Sequence, residues 1–219
     1  MIPRDPPILA PAIRLAVCVS GGGTSLQNLI DRTAQGRLDA SITRVISSRS
    51  DAGAIARANA AGIPVTVVER KGQSREAFST RVFGAVRGAD ADLVVLAGFL
   101  ALVTIPPEYA MRVINIHPSL IPAFCGKGFH GAAVHTAVIQ SGVKLTGCTV
   151  HFADNTYDTG PIISQRAVAV HDSDTPALLA ARVFEAECEA LPAAISQYAR
   201  GVLRVEGRRV LHQEIGQTA

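Results

Sequence analysis

The chain has 219 residues, 48 % of them hydrophobic and only 5 % aromatic, with no Trp and a formal net charge of +3. That length supports one α/β domain with a sizeable core, its apolar mass being Ala, Val, Leu and Ile. The weak positive charge suits an anionic small molecule rather than nucleic acid, and no run of about 18 apolar residues predicts a membrane span.

In chain order, residues 1–13 carry Pro3, Pro6, Pro7 and Pro11, lack the apolar core of a signal peptide, and are expected to form a flexible arm. A strand over 14–20 runs into Gly21-Gly22-Gly23. A helix begins at about Thr24, with Leu26, Leu29, Ile30 and Thr33 at i, i+3, i+4 and i+7, and closes at Gly36. A strand over 42–47, an Ala-rich helix over 51–61 and a strand over 64–68 follow. Ser74 is an N-cap candidate for a helix reaching Gly88. The continuous apolar run at 92–97 reads as a central strand, a short helix lies near 106–110, and a further strand spans 112–117. Five strand–helix alternations predict a doubly wound, mostly parallel sheet in the order 3-2-1-4-5. Beyond it come a helix over 132–141, strands over 146–152 and 162–170, a long helix opened by Thr175-Pro176, and a small hairpin or tail around Glu206-Gly207. The reading is one α/β domain over 14–200 with a C-terminal extended tail at 201–219. Cys18, Cys125, Cys148 and Cys188 form no C-x-x-C pair, so free thiols in a cytoplasmic protein are expected, with no metal.

Three stretches carry chemistry. Ser20-Gly21-Gly22-Gly23-Thr24-Ser25 joins a strand to a helix N-terminus, where free N–H groups and the helix dipole favour an anion. It lacks the Lys of a P-loop and the third glycine of a dinucleotide fingerprint, so a monophosphate fits better. Asn115 and His117 lie two apart on a strand, hence on one face, just before Pro118 at the strand end. An amide and an imidazole there could stabilise an oxyanion and shuttle a proton. The polar segment 153–160 is either a solvated turn or the source of a carboxylate that reaches His117 and raises its pKa. The apolar run at 93–103 holds Gly98, and Leu100, Leu102 and Val103 beyond it would line a slot for a flat heteroaromatic ring read by main-chain groups.

These pieces, in this order from about Leu15 to about Gln197, resemble the folate-dependent formyltransferases. The specific parts are the Ser-Gly-Gly-Gly-Thr-Ser loop, Leu-Ala-Gly-Phe at 96–99, Asn-Ile-His-Pro-Ser-Leu-Ile-Pro at 115–122 and Asp-Thr-Gly-Pro-Ile-Ile at 158–163. The resemblance implies formyl transfer from 10-formyltetrahydrofolate, as co-substrate, to the amine of 5-phosphoribosylglycinamide in purine (IMP) synthesis. Asn115, His117 and Asp158 would be the catalytic set, with direct attack by the amine. The substrate phosphate and ribose would meet Gly21, Gly22, Gly23, Thr24, Ser25, Arg75 and Glu187. The pterin would lie along Leu100, Leu102, Val103, Asn115, Ala153, Asp154 and Asp158. The implied partners are small molecules only, with no nucleic acid or membrane, in a monomer or homodimer.

Three departures from the family pattern stand out. Ser25 replaces a common Asn, Ala101 replaces a usual Arg, and the loop at 125–131 is several residues longer, so that Lys127 is expected to compensate for Ala101 by meeting the glutamate tail of the folate. The nearest rival is formyltetrahydrofolate deformylase, a hydrolase with the same triad. It normally carries an N-terminal regulatory domain, and its motif has a second His where Pro118 stands. Methionyl-tRNA formyltransferase adds a C-terminal RNA-binding domain that this chain is not expected to contain. A non-catalytic phosphosugar-binding module is the remaining alternative.

Overall fold

The computed structural model describes residues 12–213; most of the expected N-terminal arm and the last six residues of the expected tail lie outside that range. The elements in chain order are β1 (Ile13–Val19), α1 (Thr24–Ala34), β2 (Ala40–Ser47), α2 (Ala54–Ala60), β3 (Val65–Val67), α3 (Arg75–Arg87), β4 (Leu93–Leu96), a 3-10 turn at Pro107–Tyr109, and β5 (Val113–His117). They are followed by α4 (Ala132–Ser141), β6 (Leu145–Phe152), β7 (Ile162–Ala169), α5 (Pro176–Ala199), β8 (Leu203–Glu206) and β9 (Arg209–His212). One nine-stranded sheet runs in the order β3-β2-β1-β4-β5-β6-β7-β9-β8. The expected 3-2-1-4-5 order is present and its strands are parallel. β6 then pairs antiparallel with β5 and with β7, and the C-terminal residues form a hairpin whose β9 joins β7 in parallel.

Burial explains the composition. Leu15, Val17 and Val19 of β1 face one side of the sheet and meet Leu26, Leu29, Ala54 and Leu179 from helices on that side. Ala16 and Cys18 face the other side and meet Phe78, Val82 and Phe83 of α3. A strand covered on both faces has no polar alternation to show, which is why β1 and β4 read as continuous apolar runs. Two helix starts follow their sequence signals: the Ser74 hydroxyl accepts the Ala77 N–H at 3.1 Å, and the Thr175 hydroxyl accepts the Leu178 N–H at 3.2 Å with Pro176 in the first turn. α1 differs, because its cap is Gly23 with φ +75° and no side-chain acceptor. A Cβ on Gly23 would lie 2.6 Å from the Ala54 Cβ, so glycine also lets the start of α1 close onto α2. The four cysteines are unpaired, and no described helix is long and apolar enough to cross a membrane.

Candidate active site

β5 ends in Asn115 and His117, and a cavity of about 580 Å³ opens over them. Its walls include Leu100, Leu102 and Val103 on one side, Ala153, Asp154 and Asp158 on another, and Thr24, Ser25 and Glu187 at the end nearer α1 and α5. Gly21, Gly22 and Gly23 are not among its lining residues, although they lead directly into α1, whose first turn has no side-chain cap. No cluster of three or more metal-ligating side chains exists among the described residues.

Hydrogen-bond chemistry assigns the protons. His117 Nε2 lies 2.9 Å from the Phe124 carbonyl, which can only accept, so Nε2 carries the hydrogen and Nδ1 faces Asp158 Oδ2 at 3.7 Å. His151, opposite Asn115 on β6, donates from Nδ1 to the Phe152 carbonyl at 2.8 Å, which leaves Nε2 as an acceptor. Asn115 Nδ2 donates to that nitrogen at 3.1 Å and to Asp158 Oδ1 at 3.4 Å. The second contact is long enough to yield to a better acceptor. Asp158 Oδ2 also accepts the Gly126 N–H at 2.8 Å.

Burial lowers the His117 pKa from its ordinary value and outweighs the opposing pull of Asp158, so the imidazole is neutral at pH 7. The expected rise from a nearby carboxylate is therefore corrected: Asp158 acts in that direction, but desolvation of a ring with only 4 % of its residue surface exposed wins. Asp158 shows the reverse balance. Burial would raise its pKa, but the His151 and His117 rings and the Gly126 N–H beside it together hold it below its ordinary value, so it is ionised. Burial pushes the Glu187 carboxyl up to about 7.

Two expected contacts fall elsewhere. The Arg75 guanidinium donates to the Val103 carbonyl at 3.0 Å and to the Asn155 carbonyl at 2.7 Å, and it does not line the cavity, so it straps the loop of Leu100–Val103 to the loop of Ala153–Asp158 instead of meeting the 21–25 loop. The reason is topological: α3 packs on the opposite face of the sheet from α1. Some main-chain groups expected to be open are taken, since Leu100 N–H donates to the Ser20 hydroxyl at 3.0 Å and Val103 gives its carbonyl to Arg75. Asp154 accepts from Thr156 N and from the Thr159 hydroxyl, which makes it the organiser of its own turn.

Sequence reasoning missed His151, the Phe124 carbonyl and the Gly126 N–H. His151 sits in an apolar strand, and only its register opposite Asn115 reveals it. The other two are backbone groups of the segment between β5 and α4, with Phe124 at φ +50° and Gly126 at φ +93°, and only a three-dimensional fold shows where they point.

The sequence profile of the formyl transferase family matches residues 13–195. This chain belongs to the formyl transferase family. Among its relatives are the chloroplastic phosphoribosylglycinamide formyltransferase of Vigna unguiculata, 39 % identical over 80 % of this chain, and the phosphoribosylglycinamide formyltransferase of Bacillus subtilis, 34 % identical over 84 %. The chain spans 57 % of the Vigna protein's length and 93 % of the Bacillus protein's. The crystal structure of glycinamide ribonucleotide transformylase 1 from Symbiobacterium toebii superposes with a TM-score of 0.87 at 37 % identity, covering 96 % of this chain and 99 % of that one. A formyltetrahydrofolate deformylase from Pseudomonas syringae shares the fold more distantly, at 28 % identity and a TM-score of 0.83, with 94 % of this chain and 67 % of that one covered.

Proposed function

We propose that this formyl transferase moves a formyl group from 10-formyltetrahydrofolate to the amine of 5-phosphoribosylglycinamide, in the cytoplasm, as a step of purine synthesis. The observation that carries the reading is the convergence of Asn115, His117 and Asp158 at the floor of a cavity with one apolar wall and one end at an uncapped helix N-terminus. The apolar wall suits the pterin, and the helix end, with Thr24, Ser25 and the Gly21–Gly23 turn, suits a phosphate. Glu187 at that end suits the ribose hydroxyls.

The amine lone pair attacks the formyl carbon, forming a C–N bond and placing negative charge on the formyl oxygen. Asn115 Nδ2, releasing its long contact to Asp158, donates to that oxygen. His117 takes a proton from the attacking nitrogen, and its imidazolium faces the ionised Asp158. The intermediate collapses by breaking the bond between the formyl carbon and N10, and the proton goes to the leaving nitrogen. No enzyme nucleophile is needed, and the balance closes with one formylated product per tetrahydrofolate.

Mixing the protein with 10-formyltetrahydrofolate alone and then with the ribonucleotide tests this reading. Tetrahydrofolate release that is fast only with the acceptor supports it, because bound amine has a positional advantage over water. Equally fast formate release without acceptor would make the protein a deformylase.

A further inference from the structure

α4 turns Val134 and Val138 into the core, and it turns His135 toward the active-site cavity, which that ring helps to line. Only 5 % of His135 is exposed. Its Nδ1 is enclosed and has no hydrogen-bond partner among the described residues. Buried polar groups are normally paired, so one left without a partner at a cavity wall points to a ligand. Burial lowers the His135 pKa, and positive charge on His117 lowers it further, so the ring is neutral at pH 7. A neutral imidazole carries one proton. On Nδ1 that proton would be a buried donor without an acceptor; on Nε2, the outer nitrogen, it faces the cavity. His135 therefore presents an uncharged N–H within electrostatic reach of His117. The start of α4 has the same polarity. Its cap, Gly131, lines the cavity and offers no side-chain acceptor, so the positive end of this helix meets the same space. Lys127, in the loop before α4, is exposed and lines no part of that cavity, so the charge expected to face the folate is not what this loop brings to it.

We propose that His135, with the start of α4 behind it, binds the amide carbonyl oxygen of the acceptor's glycinamide arm and so sets the attacking amine against the formyl carbon. The proposal rests on the acceptor reading above. In that arm the carbonyl carbon is bonded to the carbon that bears the amine, so an oxygen held at His135 leaves the amine on the His117 side. A carbonyl oxygen is an acceptor with partial negative charge. It suits a neutral N–H and a helix end, whereas the fully charged phosphate is left to the start of α1. A neutral donor also does not oppose the positive charge that His117 gains when it takes the amine proton. Water and simple amines have no such carbonyl, and a site built to hydrogen-bond one discriminates against molecules that lack it.

Calorimetric titration with the ribonucleotide, and its displacement by ribose 5-phosphate, which lacks the glycinamide arm, tests it in the native protein, in His135→Phe and in His135→Gln. Phe keeps a flat ring and removes both nitrogens. Gln keeps an N–H near the place of Nε2. His135→Phe is expected to bind the ribonucleotide about tenfold more weakly, the size of one hydrogen bond, with ribose 5-phosphate bound as in the native protein. His135→Gln should recover most of the loss. Where the Phe ring prevents folding, His135→Leu carries the same comparison. Unchanged ribonucleotide affinity in the apolar variant overturns the contact. Equal loss of both compounds in a folded variant makes His135 a structural residue and overturns it too. A native protein that binds neither compound overturns the acceptor reading itself, and this proposal with it.

Discussion

Strands β1 to β5 run parallel and deliver their C-terminal ends to one edge of the sheet, whereas β6 and β7 run antiparallel and deliver a loop that folds back over β5. Asn115 and His117 belong to the first region. Their spacing along a paired strand fixes which way they point, and Leu96 opposite Asn115 fixes how far along the edge they lie. Asp158 belongs to the second region. It sits at φ +56°, and its place depends on groups remote in sequence: the Gly126 N–H on its carboxylate and the Arg75–Asn155 strap on the same loop. The strand half supplies a rigid amide and a rigid imidazole, and the loop half supplies a charge whose position has to be held. Perturbing the loop should therefore damage the charge while leaving the two strand side chains in place.

The largest effects should come from the three side chains themselves. Asn115→Ala should lower kcat by about a hundredfold or more, since one oxyanion donor is worth roughly 2.7–4 kcal/mol, and His117→Ala by a similar factor, since a positioned general base contributes about 10²–10⁴-fold. Asp158→Asn should do the same with both substrates still bound, because an amide cannot stabilise the His117 imidazolium. Asp154→Asn should be far milder, as its partners are Thr156 and Thr159 of its own turn. Steady-state kinetics on the four variants settle the ranking, and a more damaging Asp154→Asn would mean the loop, not the charge, is the functional unit.

A variant that moves the loop without touching Asn115, His117 or Asp158 breaks the comparison open. A Cβ on Gly160 would lie 1.8 Å from the Phe152 carbonyl oxygen, where β6 and β7 are closed by the Phe152 N–H to Pro161 bond of 2.9 Å. Gly160→Ala must shift the loop that carries Asp158, and displacement by an ångström costs about a hundredfold in rate. Overpacking should also lower stability by about 1–3 kcal/mol. Near-native kcat in Gly160→Ala, with lowered Tm, would show that Asp158 is held by the Gly126 N–H and the Asn115 amide rather than by its own loop.

The same division marks what could be read from the sequence. Strand ends are legible because hydrophobic runs, glycines and prolines announce them, so the order of β1 to β5, the Ser74 and Thr175 caps, and the juxtaposition of Asn115 with His117 all follow from local pattern. Asp158 was legible only through its Asp-x-Gly-Pro context, since a polar turn has no period. His151 was hidden because an antiparallel neighbour's register is set by a distant hairpin connection. Arg75 was misplaced because a helix start says nothing about which face of the sheet the helix covers.

Arg75 thus becomes a sharper test than it was as a phosphate ligand. Its two carbonyl acceptors, on Val103 and Asn155, belong to two loops that contribute walls of the cavity. Arg75→Ala should raise the KM for the folate by about tenfold, in line with loss of hydrogen bonds from a charged donor. The KM for the ribonucleotide should move little. The opposite pattern, a ribonucleotide defect with normal folate KM, would return Arg75 to the phosphate and require the strap to open on binding.

Glu187, on α5, tests whether the end of the cavity nearer α1 is also built at the expense of stability. Burial raises its carboxyl from an ordinary 4.5 to about 7. The folded state then holds a proton that the unfolded state has already released between those values, so stability falls as pH rises from about 4.5 to about 7 and stays reduced above it. A shift of that size is worth on the order of 3 kcal/mol. Glu187→Gln keeps the shape and removes the titration. It should match the native protein in Tm at pH 4.5, exceed it at pH 8, and bind the ribonucleotide several-fold more weakly, because an amide is the poorer acceptor for two hydroxyls. Melting curves across that pH range, with and without ribonucleotide, separate the two contributions. A Glu187→Gln protein with an unchanged pH profile would mean that the carboxyl is reached by water and is not held neutral by burial.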